Sequence, residues 1–177
     1  MEISVRECLE EDIEKIVNYF LESDVEYLRG MGADKSKLLS REKWVKNLQL
    51  ESKKPYAEKE VYYIIWLLDN EAVGHSNVNH IKFGEVATMH LHVWENNLRQ
   101  NGLGSKFLRK TIPLYFKNLK LEKLICEPFS GNISPNKTLR KIGFDFIKNY
   151  ETIPGAINFY QEVSRYEITK GDFEKIF

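Results

Sequence analysis

The sequence predicts a single α/β domain of the α+β kind, and three observations predict it. The chain has 177 residues, enough for one compact core that buries roughly 70% of its unfolded surface and too few for two comfortable ones. Strand-like and helix-like segments follow one another in the order β, α, α, β, β, β, α, β, α, β, β, with no repeat, low-complexity tract or linker between them. A glycine-bearing heptapeptide, Arg99 to Ser105, stands between an apolar strand-like run and the longest helical run.

Ile3 and Val5 alternate with polar neighbours as a short first strand does. Glu10, Glu11 and Asp12 then give an acidic start to a helix with apolar positions Ile13, Ile16, Val17 and Phe20, ending near Leu21. Ser23 to Leu39, with Gly30 and Gly32 among mixed charges, reads as a loop until Ser40 caps a second helix containing Trp44, Val45 and Leu48. Tyr62 to Leu68 is dense in β-branched and aromatic residues, Asp69 and Asn70 turn the chain, and Ala72 to Asn79 returns as the partner of a hairpin. Another strand runs from about Glu85 to Val93. Leu103, Phe107, Leu108, Ile112, Tyr115 and Leu119 mark one helical face, which Pro113 is expected to kink. Lys123 to Glu127 reads as a strand and Asn132 to Ile142 as a short helix ended by Gly143. Phe144 to Tyr150 and Phe159 to Ile168 close the sheet around Pro154 and Gly155.

Composition narrows the function classes. With 42% hydrophobic and 29% charged residues, and 26 basic against 26 acidic ones, no net field exists to hold nucleic acid or an anionic membrane. No apolar run approaches the roughly 20 residues that span a bilayer, and Met1 to Arg6 lack a signal-peptide core, so a cytoplasmic location is expected. Cys8 and Cys126 form neither a disulfide framework nor a metal-ligand spacing.

The heptapeptide Arg99, Gln100, Asn101, Gly102, Leu103, Gly104, Ser105 carries the chemistry. Two glycines two apart at the mouth of a helix let backbone pack closely and leave several N–H groups facing outward, a site suited to a diphosphate; an ordinary tight turn is the competing reading. Arg99, Gly102 and Gly104 reproduce the Gln/Arg, two residues, Gly, one residue, Gly/Ala signature of the GNAT superfamily of N-acetyltransferases. Asn132, eleven residues before the Gly143 and Phe144 pair, matches a second feature of that family. The chain resembles GNAT enzymes over nearly its whole length, and among them those that acetylate ribosomal-protein N-termini and their antibiotic-modifying cousins.

The resemblance implies a GNAT-like acyl-CoA transferase fold: a central mixed, mostly antiparallel sheet of six or seven strands, splayed between the fourth and fifth, with helices on both faces. It implies acetyl-CoA as cosubstrate, no metal, and an amine-bearing small molecule or protein as acceptor. The N–H groups of Gln100 to Ser105 would bind the diphosphate, aided by a helix dipole worth roughly 0.3–1 kcal/mol. The pantetheine arm would lie beside His92 and Val93, with Asn132 and Asn136 as side-chain partners, although Asn132 can equally be a plain helix cap. Backbone N–H near Val93 would hold the oxyanion. Glu127, five residues before Asn132, stands where the ribosomal N-terminal enzymes place a base; the bland alternative is a solvated strand-end carboxylate.

Leu139 occupies the position where many relatives carry a proton-donating tyrosine, leaving Tyr150 or Tyr160 as substitutes or the thiolate to depart unaided. His90 and His92 share a strand face and read as base or relay, metal pair, or packed histidines, with His75 or His80 as the third ligand a metal would need. Trp44, Trp66, Trp94, Tyr62 and Tyr63 read as core or acceptor-pocket residues, Trp94 as a cover for cofactor or substrate. A non-catalytic coenzyme A sensor or scaffold of the same fold is the rival. The exposed edge of the last strand pair is where a homodimer would join.

Overall fold

A computed structural model describes residues 1–99 and 102–177. Seven strands form one sheet: β1 (Ile3–Glu7), β2 (Tyr62–Leu68), β3 (Glu71–Lys82), β4 (Val86–Val93), β5 (Lys123–Cys126), β6 (Asp145–Thr152) and β7 (Gln161–Thr169). Their spatial order is β1-β2-β3-β4-β5-β7-β6, and every neighbouring pair is antiparallel except β4 and β5. The helices are α1 (Glu10–Leu21), α2 (Val25–Gly30), α3 (Arg41–Ser52), α4 (Leu103–Asn118), α5 (Ile133–Lys141) and α6 (Lys170–Ile176). The expected mixed, mostly antiparallel sheet with helices on both faces is what forms.

Alternation along the strands sorts the core into two layers. Ile64 and Trp66 of β2 and Ala87 and Met89 of β4 face α4, where Trp66 stacks flat on Phe107 with ring centroids 4.9 Å apart and donates to Thr111 Oγ1 at 2.9 Å. Ile65 and Leu67 face the other way, onto Ile13, Ile16, Val17 and Phe20 of α1 and Leu48 of α3. The start of α1 is tied to β1 by fully buried Asp12, whose carboxylate accepts from Arg6 at 2.5 and 3.0 Å and from the Leu9 N–H at 2.9 Å.

Two elements depart from expectation. Ser23 to Leu39 is not an open loop: Asp24 accepts from the Tyr27 N–H and starts α2, whose Leu28 is fully buried, while Gly32 at φ +88° turns the chain after it. A final helix, α6, follows β7, capped by Thr169 and anchored by buried Phe173. Helix α4 continues through Pro113 to Asn118, as its apolar period predicts.

The gap in the sheet has a local cause. β4 and β5 pair only from Val86 and Lys123 to Thr88 and Ile125. Beyond Cys126 the chain follows β7 instead, with the Ser164 N–H donating to Pro128 O and the Ser130 N–H to Glu162 O, both at 3.0 Å. Pro128 has no N–H to offer β4. Among the described residues Met89 to Val93 therefore has no strand partner on that side, and the sheet opens there.

Candidate active site

A cavity of about 1040 Å³ occupies this opening. Met89, on the α4 layer, and His90 and His92, on the α1 layer, all line it, so the cavity passes through the sheet from one helical layer to the other.

One end is built by the first turn of α4. Gly102 is the residue before the helix, at φ +72°, a conformation that disfavours any residue with a Cβ. Leu103 and Ser105 turn their side chains into the protein, and the Ser105 hydroxyl donates to Gly102 O at 2.8 Å. The N–H groups of Leu103, Gly104 and Ser105 precede the first intrahelical bond, and no acceptor meets them among the described residues. A Cβ on Gly104 would lie 3.8 Å from Thr138 Cγ2, ordinary contact, so the protein's own packing does not demand glycine here; the space it leaves opens onto the cavity. Lys137, Thr138 and Lys141, along one face of α5, line the opposite wall, with Lys141 Nζ 3.7 Å from where a Gly102 Cβ would stand.

Two expected partners at this end are committed elsewhere. Arg99 donates to Val93 O and Trp94 O, both at 3.0 Å, and its guanidinium lies 4.2 Å over the Tyr27 ring, so it fastens the turn to the end of β4. Asn136 does not line the cavity; its amide donates to Asn132 O at 2.7 Å and Phe129 O at 3.1 Å. Asn132 does line it, and its side chain makes no capping bond. Gln100 and Asn101 lie outside the described residues. Lys137 and Lys141 went unread, although their spacing of four on a helix opening at Asn132 was the available signal.

At the centre, the Trp94 N–H donates to Val73 O at 2.9 Å on β3, so by strand alternation the Val93 N–H points to the open side. Glu127 faces the same opening just past β5. Its Oε1 accepts from Tyr150 Oη at 2.5 Å and Arg165 Nη1 at 2.8 Å, so it is an anchored carboxylate, not a solvated one. Desolvation and that bond raise the Tyr150 hydroxyl above its ordinary pKa. Tyr160 is exposed and bonds Glu151, and Leu139 is fully buried in the core.

The other end is aromatic. Tyr19 and Phe20 of α1, Trp44 of α3, Tyr63 of β2 and His92 line it. Tyr19 Oη is 2.7 Å from Tyr27 Oη and 3.4 Å from His92 Nδ1. Burial pushes His92 down to about 3 and His90 to about 4, and takes fully buried His75 well below the ordinary imidazole value. A neutral imidazole of that kind accepts hydrogen bonds but is a weak proton acceptor near neutrality. Trp94 does not cover the cavity: its indole N–H donates to His75 Nδ1 at 2.8 Å, which places the His75 proton on Nε2. Trp66 and Tyr62 are core. Among the described residues no three His, Cys, Asp or Glu side chains cluster as metal ligands.

The chain matches the sequence model of the acetyltransferase (GNAT) domain over residues 3–145. It belongs to the GNAT acetyltransferase family. Comparison with curated protein sequences finds no match. Among solved structures this GNAT chain is similar to RimL, a ribosomal L7/L12 α-N-protein acetyltransferase in complex with coenzyme A, at 15% identity over 94% of this chain and 93% of that one, TM-score 0.76. A spermidine N-acetyltransferase from Vibrio cholerae in complex with CoA and spermine shares 13% identity over 97% and 98%, TM-score 0.74. The aminoglycoside acetyltransferase AAC(6')-Ib in complex with coenzyme A and kanamycin shares 16% over 98% of both chains, TM-score 0.72. The GNAT fold thus extends over the whole chain, beyond the matched residues.

Proposed function

We propose that the protein moves the acetyl group of acetyl-CoA directly to a primary amine, without a covalent enzyme intermediate. The observation that carries this reading is the cavity itself. Three N–H groups of α4 with no acceptor among the described residues and two lysines stand at one end, a strand edge unpaired among those residues leads through the sheet, and a carboxylate waits at the gap.

In this reading the N–H groups of Leu103, Gly104 and Ser105 hold the diphosphate, with Lys137 and Lys141 adding charge. The free edge of β4 pairs with the amides of the pantetheine arm, and Asn132 supports it from α5. The donor supplies an activated thioester, placed beside the outward Val93 N–H, which polarises its carbonyl. Glu127 accepts the proton of the attacking amine, while Tyr150 and Arg165 fix the carboxylate's direction. Arg99 positions the diphosphate turn through Val93 and Trp94. His92 orients the acceptor as a hydrogen-bond partner. Asn136 braces the approach to α5.

One observation favours a second reading, a coenzyme A binder that has lost transfer: the position where many relatives carry a tyrosine is a core leucine, Leu139. A thermal scan and a thiol-release assay separate the two. Acetyl-CoA at a hundred times its Kd adds about 2.7 kcal/mol, a shift of several degrees, in either case. Thiol release in the presence of an amine is expected only of the transferase, and absence of the thermal shift defeats both.

A further inference from the structure

The cavity's two ends differ in charge as well as position. Its cations, Arg99, Lys137 and Lys141, stand at the α4 end. Among the described lining residues its one carboxylate is Glu127, at the gap and already bonded by Arg165. The far end offers aromatic and hydrocarbon walls from Phe20, Trp44, Tyr63, Met31 and Ile157, and its polar groups are uncharged, among them the Tyr19 and Tyr27 hydroxyls, the amides of Asn77 and Asn158 and the imidazoles of His90 and His92, which burial keeps neutral.

We infer that the acceptor is a small monoamine with an aromatic or hydrocarbon body, and that polycations are excluded. This rests on the reading that the α4 end seats the acyl donor. A flexible polyamine or an amino sugar with several ammonium groups has to bring each charge out of water, and burial of a charge without a counter-charge is costly. Here no free carboxylate meets them along the wall. Arg99, stacked on Tyr27 at 4.2 Å, adds like-charge repulsion at the boundary of the acceptor end, and that stack also covers one of the ring faces that would otherwise attract a cation. A single amine delivered to the gap meets Glu127, while its body replaces water against Trp44 and Phe20, whose rings are 5.2 Å apart. The polar amides supply orientation without requiring charge.

Calorimetric titration of the full chain saturated with coenzyme A tests this, with phenethylamine, spermidine and kanamycin as probes. Phenethylamine is expected to bind at least tenfold more tightly than either polycation, and Trp44→Ala to weaken it at least tenfold while leaving coenzyme A binding unchanged. Met31→Glu, at a half-buried lining position, puts a free carboxylate on the wall and is expected to raise spermidine affinity at least tenfold, a readout that survives if Trp44→Ala fails to fold. Spermidine or kanamycin binding as tightly as phenethylamine, or no binding by phenethylamine, overturns the inference. Failure of coenzyme A to bind defeats the donor reading, transferase and binder alike, and is distinguishable because the same panel run on the protein without it still reads the far end. Phenethylamine that binds but is never acetylated defeats transfer and leaves the acceptor class standing.

Discussion

The two ends of one cavity are made in different ways. At the α4 end the groups facing the cavity are backbone N–H groups, presented because a left-handed Gly102 starts a helix whose Leu103 and Ser105 point inward. At the α1 end they are side chains drawn from α1, α3, β2, β3 and the segment after β6, each placed by packing against the others. A backbone device tolerates sequence change at most of its positions and recognises one chemical group. A side-chain wall changes its chemistry with each substitution, so the two ends respond differently to mutation.

Acid separates the ends most. His75, His90 and His92 all lie at or behind the acceptor wall with depressed pKa values, whereas unfolded they titrate near 6.5. The unfolded state therefore binds more protons below pH 6.5. Stability from these groups is complete above that value and is lost as pH falls toward 4. The three together should cost about 3 kcal/mol between pH 6.5 and 5.5, at about 1 kcal/mol each. Urea unfolding at pH 7.5, 6.5 and 5.5 measures it, and His92→Gln should remove about a third of the slope. A flat profile would mean that these imidazoles charge freely and that the wall is wet.

Glycine substitution strikes the opposite end. Gly104→Val places methyl groups over the free N–H groups and should weaken acetyl-CoA at least a hundredfold, about 2.7 kcal/mol, with the fold retained. Gly104→Ala, whose Cβ meets Thr138 at an ordinary 3.8 Å, should weaken it far less. Equal effects of alanine and valine on the thermal shift would show that the ligand does not approach this turn.

How legible each end was in the sequence follows from the same contrast. The turn that opens α4 is contiguous, so within the heptapeptide Arg99 to Ser105 the residues that start the helix, Gly102 to Ser105, stand out by type and spacing. Asn136 came as a pantetheine partner with the family resemblance, and that its amide donates to Phe129 O and Asn132 O depends on how the chain enters α5, with Asn132 an extended cap at φ −85°, ψ 94°. Arg99 was readable as a motif residue but not as a clamp on Val93 and Trp94, since its partners depend on where β4 ends. The acceptor wall joins residues as far apart as Tyr19 and Asn158, and no local pattern encodes that meeting. The gap between the fourth and fifth strands came with the family resemblance; the spatial strand order and the cause of the gap, Pro128 and its neighbours turning to β7, needed coordinates.

Loosening α1 tests whether the ends are mechanically independent. Asp12→Ala leaves Arg6 without its buried partner and should cost about 2 kcal/mol. Because α1 carries Tyr19 and Phe20, the acceptor KM should rise severalfold while the acetyl-CoA shift, measured relative to the variant's own Tm, stays as in the parent. A matching loss of acetyl-CoA affinity would show that the sheet transmits the disturbance across the gap.

The smallest expected effect falls on the residue between the ends. Glu127→Gln keeps the shape and the Tyr150 contact but removes the charge, and Arg165 stays held by Glu167 at 2.8 and 2.7 Å, so the fold should be unaffected. As the base for an amine, Glu127 acts on the attack step alone. Turnover should fall about tenfold, about 1.4 kcal/mol, with acetyl-CoA affinity unchanged. The deficit should shrink as pH rises and more of the amine arrives already deprotonated. Tyr150→Phe, which removes a donated bond but no charge, should slow turnover less and leave the pH dependence in place. Full activity of Glu127→Gln at every pH would make Glu127 a strut for Arg165, and would leave the gap to work by placement of donor and acceptor alone.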